Sequence, residues 1–207
     1  MSNGLLVRVH ADSVGAPHLE RELAAAVAAG SPTTASFAVR FGRRDYATFS
    51  ATVEDDPLTD GVGRRIQPLL ATPVERESVD VLAAKPLEPR SAYVTKGLLL
   101  TFPPRRDHES DVEDFLSEAQ PMVEEEGGTA AWYALRMPTG EYGTFDVFPS
   151  SLARLRHLSG RVTRELLGRG RSMLSGLPSM HLLDVVAATP GIPHSAAFED
   201  QRQDEVT

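Results

Sequence analysis

The stretch AWYALRMPTGEYGTFDVF at residues 131–148 aligns without a gap with ASFAVRFGRRDYATFSAT at residues 35–52. Identical residues recur at positions 38 and 134, 40 and 136, 46 and 142, 48 and 144, and 49 and 145. A repeat on this scale indicates that one structural unit occurs twice along the chain. The sequence therefore predicts a fold built from two copies of one unit.

Two further blocks repeat in the same order on either side of this stretch. GLLVRV at 4–9 resembles GLLLTF at 97–102, and VDVLAAKP at 79–86 resembles LDVVAATP at 183–190. The three blocks lie at offsets of 93, 96 and 104 residues, so the second copy has gained residues before its last block. The unit is therefore a small domain of about 90 to 100 residues.

These blocks also set the expected domain boundaries. Residues 1–88 are expected to form a first, degenerate α+β repeat, and residues 93–190 a second repeat that carries the candidate active site. Residues 191–207 are acidic and have no periodic apolar pattern. We expect this segment to be a mobile tail that can be removed without loss of the fold.

The second copy is predicted to run strand, helix, hairpin, helix, strand. Ser110 and Glu113 form a capping-box pattern before apolar residues at helical spacing. After the hairpin, Ser150 or Ser151 caps a short helix. Its apolar face is expected to hold three leucines, Leu152, Leu155 and Leu158. The first copy follows the same order, so the predicted fold class is α+β, with two ferredoxin-like repeats.

The hairpin at 131–148 indicates how the two copies meet. With a four-residue turn at 138–141, side chains divide between two sheet faces. One face then carries Tyr133, Leu135, Met137, Tyr142, Thr144 and Phe148, and the other Trp132, Ala134, Phe145 and Val147. Both faces are largely apolar, and helices cover only one of them. We therefore expect the two sheets to pack face to face in an intrachain dimeric α+β barrel.

The composition excludes several classes of protein. With 41% hydrophobic and 24% charged residues, it is that of a globular chain. No apolar run is long enough to span a bilayer and no leader pattern is visible, so we expect a cytoplasmic protein with no membrane partner. The absence of cysteine excludes disulfides and thiolate chemistry. A net charge of −8 argues against nucleic acid as a partner.

Six motifs between residues 96 and 190 resemble those of a known family. They are KGLL at 96–99, PMVEEE at 121–126, GTAAWYALR at 128–136, GTFDVFP at 143–149, HLSG at 157–160 and LDVVAA at 183–188. In these motifs the second copy resembles the antibiotic biosynthesis monooxygenase family. The resemblance implies a dimeric α+β barrel. The first copy departs from it, since Ser36 stands in place of Trp132 and Ser50 in place of Asp146.

The same resemblance implies a range of functions, because relatives include cofactor-independent oxygenases of polycyclic phenols, haem-degrading proteins and isomerases. The leading hypothesis is a cofactor-independent monooxygenase whose second copy oxidises a hydrophobic polycyclic phenolic substrate, a small hydrophobic aromatic molecule, with dioxygen. The alternative is a non-catalytic ligand-binding or structural barrel. A cavity on the order of 300 to 1,000 Å³ beneath Trp132 and His157 would favour the enzyme. Homo-oligomerisation is left open.

His157, Trp132 and Asp146 are the candidate catalytic residues. The imidazole of His157 titrates near neutral pH and could accept a phenol proton. The alternative is that His157 caps the C-terminus of its helix. Trp132 could stack on a planar substrate or fill the core. Asp146 lies in an apolar strand, so its carboxylate must be paired or hydrogen-bonded.

Three further residues are candidates for binding the substrate. Arg136 could pair with Asp146 or hold an anionic substrate, or it could form a structural salt bridge at the sheet edge. Tyr133 and Tyr142 could each donate a hydrogen bond to a substrate oxygen. The spacing of the six histidines supports no metal site, and no phosphate-binding glycine motif occurs. No cofactor is therefore expected, although haem bound by one axial histidine is left open.

Overall fold

The computed structural model describes residues 2–31, 34–54, 56–88 and 93–189 of the 207. The predicted tail, residues 191–207, lies outside the described residues, so its mobility stays a prediction. Within the described ranges, no helix combines the length and the apolar character needed to cross a membrane.

The first half contains four strands and two helices. They are β1 (Ser2–His10), α1 (Ala16–Ala28), β2 (Ser36–Arg40), β3 (Asp45–Ser50), α2 (Asp60–Ile66), which continues as a 3₁₀ turn at Gln67–Leu69, and β4 (Glu75–Lys85). The helix α1 buries the apolar stripe expected for it, Leu19, Leu23, Ala26 and Val27. These residues share one face because they recur at helical spacing.

The second half repeats this order with an additional helix. Its elements are β5 (Lys96–Phe102), α3 (Glu109–Glu125), β6 (Ala131–Arg136), β7 (Tyr142–Phe148), α4 (Ser151–Leu158), α5 (Arg161–Met173) and β8 (Ser179–Thr189). The strand orders β4-β1-β3-β2 and β8-β5-β7-β6 are equivalent. The α+β class with two ferredoxin-like halves is therefore confirmed. The domain boundaries stay a prediction.

The two halves join through their sheet edges into one closed barrel of eight antiparallel strands. Strand β4 pairs with β6, from Asp80 opposite Arg136 to Lys85 opposite Trp132. Strand β2 pairs with β8 across the other seam. The predicted intrachain barrel is confirmed. Its two sheets pack face to face across the interior, as expected, and they are also hydrogen-bonded to each other along both edges. Closure leaves no unpaired sheet edge among the eight described strands.

Both halves fill the barrel interior with apolar side chains. Four aromatic rings lie at its centre, those of Phe37, Phe49, Tyr133 and Phe145. The ring centroid of Phe49 is 4.8 Å from that of Phe145 and 5.1 Å from that of Tyr133. The helices lie on the outside of the barrel, and the longest helix of each half reaches across a seam. Helix α1 packs on β8 of the other half, and α3 packs on β4.

The turn between β6 and β7 is one residue shorter than expected. Arg136 lies opposite Tyr142, and the backbone N–H of Met137 donates to the carbonyl of Glu141 at 2.8 Å. Three residues, 138–140, therefore form the loop. Gly140 has a φ of +84°, in the left-handed region that glycine adopts without strain. Loops of three residues in hairpins commonly place a glycine there.

This single residue reverses the face assigned to every residue of β7. Side chains alternate along a strand, so a register shift of one moves each of them to the opposite face. Thr144 and Asp146 lie on the outer face with Trp132, whereas Phe145 and Val147 lie inside with Tyr133. The expectation that Trp132 shares a face with Phe145 and Val147 was wrong.

The start of α3 also differs from the expectation. The helix begins at Glu109, with His108 as the N-cap residue, and no side chain caps it. The capping box of Ser110 and Glu113 was therefore wrong. The carboxylate of Glu113 instead accepts hydrogen bonds from Arg136 at 3.1 Å and Tyr142 at 2.8 Å.

The short helix α4 buries a different face from the one predicted. Ser150 caps it as expected, with its hydroxyl accepting from the N–H of Ala153 at 3.2 Å. Leu152 and Leu155 are 55% and 61% exposed, however, while Ala153 and His157 are buried. The leucine face was wrong because the imidazole has polar partners inside, so its burial is compensated.

Candidate functional site

A cavity of about 280 Å³ lies between the outer face of the second half's sheet and the helices α3 to α5. The lining residues with polar side-chain atoms are Trp132, Thr144, His157 and Thr163. The apolar lining comes from Leu98, Leu100, Phe102, Phe115, Leu116, Ala119, Leu158, Val162, Leu166, Leu167, Leu177, Pro178 and Met180. The volume is just below the range of roughly 300 to 1,000 Å³ found for small-molecule sites. A cavity is therefore present beneath Trp132 and His157, and it is slightly smaller than expected.

Trp132 forms part of the inner wall of this cavity. Its side chain is 1% exposed, and its position on β6 places it directly opposite Asp146 on β7. Among the described residues, the indole Nε1 has no hydrogen-bond partner. The residue therefore combines a packing role with a hydrogen-bond donor that is buried beside a cavity.

Asp146 is fully buried behind the cavity wall. One carboxylate oxygen, Oδ2, accepts a hydrogen bond from Thr144 Oγ1 at 2.9 Å. The other, Oδ1, has no hydrogen-bond partner among the described residues and lies 3.8 Å from Nε2 of His157. Burial raises the pKa of Asp146 to about 6, although the charge of His157 and the bond from Thr144 oppose this.

His157 is held by groups from two other segments. Its Nδ1 lies 2.6 Å from Glu126 Oε2 and 3.2 Å from Thr129 Oγ1. The ring also packs against Phe148, with the centroids 5.3 Å apart. The imidazole therefore contacts these groups instead of the last carbonyls of α4, and the capping interpretation does not describe it.

The ionisation of His157 reflects opposing effects. Burial lowers the pKa of its imidazole, but the hydrogen bond with Glu126 and the charges of Asp146 and Glu126 outweigh burial, so the pKa is raised. Asp146 and His157 thus form a buried acid–base pair beside the cavity. Both groups hold their protons to a higher pH than they would in water.

The three residues proposed to bind substrate lie outside this cavity. Tyr133 points into the barrel interior, on the opposite side of the sheet. Arg136 forms an ion pair with Asp80 at 2.6 Å and another with Glu113 at 3.1 Å, instead of pairing with Asp146. Tyr142 donates to the same carboxylate of Glu113. The salt bridge considered for Arg136 is therefore present, but it joins other partners.

Three polar residues at the site were not singled out from the sequence. They are Glu126, Thr129 and Thr144. Thr144 could have been found, since it lies two residues from Asp146 and so shares its strand face. Glu126 lies in the PMVEEE motif, but nothing in that acidic run at the end of α3 distinguishes its carboxylate from those of the neighbouring glutamates.

A haem group, which the family resemblance implies for some relatives, does not fit these residues. An axial histidine needs a free ring nitrogen facing open space, yet Nδ1 of His157 is bound to Glu126 and Nε2 lies against Asp146. The cavity is also small for a macrocycle. Within the described ranges, no group of three or more His, Asp or Glu residues is placed to hold a metal ion.

The raised pKa of Asp146 predicts how the free energy of unfolding depends on pH. Between the ordinary value of 3.8 and the folded value of about 6, the folded protein binds more protons than the unfolded chain. The carboxyl group of Asp146 therefore contributes fully to the free energy of unfolding below pH 3.8, and this contribution is lost as the pH rises through about 6. The raised pKa of His157 continues this loss above 6.5.

The substitution Asp146→Asn is expected to remove the part of this loss that comes from the carboxyl group. Asparagine keeps an oxygen for the hydroxyl of Thr144 but carries no charge. Denaturant unfolding of both proteins at several pH values across this interval measures the difference. Parallel stability curves for wild type and variant would show that Asp146 does not titrate abnormally.

Comparison with known proteins finds solved structures with a similar fold. No protein-family model matches the sequence, and no curated protein matches it. Among solved structures, a proposed monooxygenase of Fusobacterium nucleatum has a TM-score of 0.77 at 11% identity, covering 92% of this chain and 95% of that one. One from Lactobacillus acidophilus has a TM-score of 0.73 at 9% identity, covering 92% and 97%.

An anthrone oxidase-like protein also matches, with a TM-score of 0.59 at 13% identity, covering 92% of this chain and 94% of that one. Identities this low show similarity of fold alone. These structural matches, together with the closed eight-stranded barrel and its two equivalent halves, identify the fold. The chain therefore has a ferredoxin-like, dimeric α+β barrel fold similar to that of these solved structures.

Proposed function

We propose that the protein is a cofactor-independent monooxygenase that oxidises a compact, hydrophobic phenolic compound with dioxygen. The observation that carries this proposal is a pair of buried polar atoms without described partners, Nε1 of Trp132 and Oδ1 of Asp146, beside an apolar cavity. Each such atom costs about 1–3 kcal/mol when it stays unpaired. A ligand acceptor in the cavity would satisfy the indole, and a proton taken up on Nε2 of His157 would place a donor 3.8 Å from Oδ1 of Asp146.

These two atoms suggest the polar pattern of the substrate. The indole N–H of Trp132 would donate to a carbonyl oxygen, and a phenolic hydroxyl would donate to Nε2 of His157. The remaining surface of the ligand would contact leucine and phenylalanine side chains, which favours a planar apolar ring system. A cavity of about 280 Å³ favours few fused rings.

The chemistry requires a base and little water, because the substrate anion itself reduces dioxygen. Neutral His157 accepts the phenol proton at Nε2, and the electron-rich anion passes an electron to dioxygen. Recombination forms a carbon–oxygen bond to a peroxide. The imidazolium then returns its proton to the distal peroxide oxygen, which also takes up the hydrogen of the attacked ring carbon and leaves as water. That C–H carbon thus becomes a carbonyl, so one oxygen atom of dioxygen enters the product and the other enters water.

The first half lacks the polar groups of the proposed site at the matched positions, which supports placing the site in the second half. Ser36 and Ser50, which stand in place of Trp132 and Asp146, share a hydrogen bond between their hydroxyls at 3.1 Å. Both are buried, so no polar atom is left to recruit a ligand at these positions. The first half supports the barrel, and the second half supplies the chemistry.

Oxygen uptake with a panel of bicyclic and tricyclic phenols tests this function. The assay contains chelator and no added flavin, haem or metal. We expect uptake that saturates with substrate and is lost in Trp132→Ala, whereas Ser36→Ala, at the matched position, keeps full activity. Wild-type protein that binds these phenols without consuming oxygen would show a non-catalytic ligand-binding barrel instead.

A further inference from the structure

The imidazole of His157 lies between the cavity and an open groove on the protein surface. The groove is lined by residues that include Glu126, Arg156, Gly160 and Arg161. We propose that Glu126 is the positioning residue of His157, holding a proton on Nδ1 so that Nε2 is the nitrogen that faces the cavity chemistry. Its catalytic consequence rests on the proposed function, but the positioning itself does not.

Geometry is the first support for this assignment. The distance from Glu126 Oε2 to Nδ1 of His157 is 2.6 Å, typical of a charge-assisted hydrogen bond. The hydroxyl of Thr129 donates to the same oxygen, Oε2, at 3.2 Å. An ionised carboxylate only accepts hydrogen bonds, so Nδ1 must be the donor. In the neutral ring, Nε2 is then left as an acceptor 3.8 Å from Asp146.

Burial is the second support, because it assigns different roles to the two carboxylates. The side chains of Asp146, His157 and Glu126 are 0%, 6% and 22% exposed, so exposure to water increases from the cavity to the groove. Glu126 is the most exposed of the three and lines the groove, although its Oε1 is buried without a hydrogen-bond partner among the described residues. Asp146 is fully buried, and its charge depends on His157.

The other charged groups near His157 act against its protonation or lie at the groove. Lys85 of β4 donates to the carbonyl oxygens of Val123 and Glu126, and its positive charge lowers the pKa of His157. Arg156 and Arg161 line the groove from α4 and α5. Glu126 is therefore the group that, together with Asp146, keeps the imidazolium stable in this surrounding.

Nuclear magnetic resonance of the full chain tests the positioning without any substrate. The ring nitrogens of the six histidines are followed against pH, and His157→Gln assigns the signals of His157. We expect wild-type His157 to carry its neutral-state proton on Nδ1. In Glu126→Gln, we expect its pKa to fall and the tautomers to become mixed, because the amide can donate as well as accept.

Glu125→Gln is the matched control. Glu125 is the last residue of α3, is exposed and lines the same groove, so the substitution removes the same charge without touching His157. Glu126→Asp keeps the charge and is expected to restore part of the Nδ1 preference. A Glu126→Gln protein in which the tautomer and the titration of His157 are unchanged would overturn the proposal.

The pH profile of oxygen uptake separates this inference from the proposed function. We expect Glu126→Gln to shift the rise of kcat/KM to lower pH and to reduce its plateau by roughly tenfold or more, since a weaker and misoriented base transfers protons more slowly. If wild type consumes no oxygen but the tautomer changes as expected, the positioning role holds and the oxygenase function fails.

Discussion

Replacing His157 with alanine is expected to lower oxygenase turnover by roughly 10² to 10⁴, the range for the loss of a general base. The imidazole lines the cavity, its pKa is raised by Glu126 and Asp146, and its Nε2 lies 3.8 Å from Asp146 without a hydrogen bond to it. The measurement is initial oxygen uptake at saturating phenol. Undiminished uptake by a folded variant would exclude His157 as the base.

Stability must be controlled in this experiment, because alanine leaves Glu126 and Asp146 without their shared partner. Each variant is therefore checked for cooperative thermal unfolding. His157→Gln keeps a hydrogen-bonding side chain of similar reach but no base, so it should be inactive and better folded. Added imidazole should restore part of the uptake in His157→Ala by entering the space left beside the cavity.

Replacing Phe49 with alanine is expected to reduce the free energy of unfolding by about 3–5 kcal/mol, the usual cost of removing a fully buried phenylalanine. Phe49 belongs to β3 of the first half, yet its ring contacts Tyr133 and Phe145 of the second. The substitution leaves a void at the centre of the barrel. Its effect should therefore reach both halves.

Trp132 makes this effect measurable in the second half, since it is the only tryptophan in the chain. Denaturant unfolding followed by its fluorescence should show the midpoint shift caused by Phe49→Ala in the first half. Circular dichroism should give the same midpoint. Val14→Ala, at an exposed position of the first half, should change stability by less than about 0.5 kcal/mol. An unchanged fluorescence midpoint would mean that the halves unfold independently.

Much of the fold was predictable because its signals are local. The repeated blocks, the buried stripe of α1 and the strands of the hairpin follow from spacing of two or 3.6 residues. Apolar character on both sheet faces correctly predicted an interior shared by the two halves. The pairing of strand edges was not local, since β4 meets β6 and β2 meets β8 across long stretches of chain.

The candidate site was predictable only in part. Trp132, Asp146 and His157 were selected as isolated residue types, and the structure brings them to one side of the sheet. Tyr133, Arg136 and Tyr142 were selected in the same way, but they lie elsewhere. A residue type shows what chemistry is available, whereas its neighbours decide whether that chemistry is used.

By itself, the sequence determined that the chain is an α+β protein of two equivalent halves with a shared apolar interior. The tertiary structure decided the rest of the site. A loop of three residues instead of four put Asp146 beside Trp132, because one residue of register reverses the faces of a strand. Glu126 decided that His157 is buried while Leu155 is exposed, because a distant carboxylate compensates the burial of an imidazole and no local pattern records that contact.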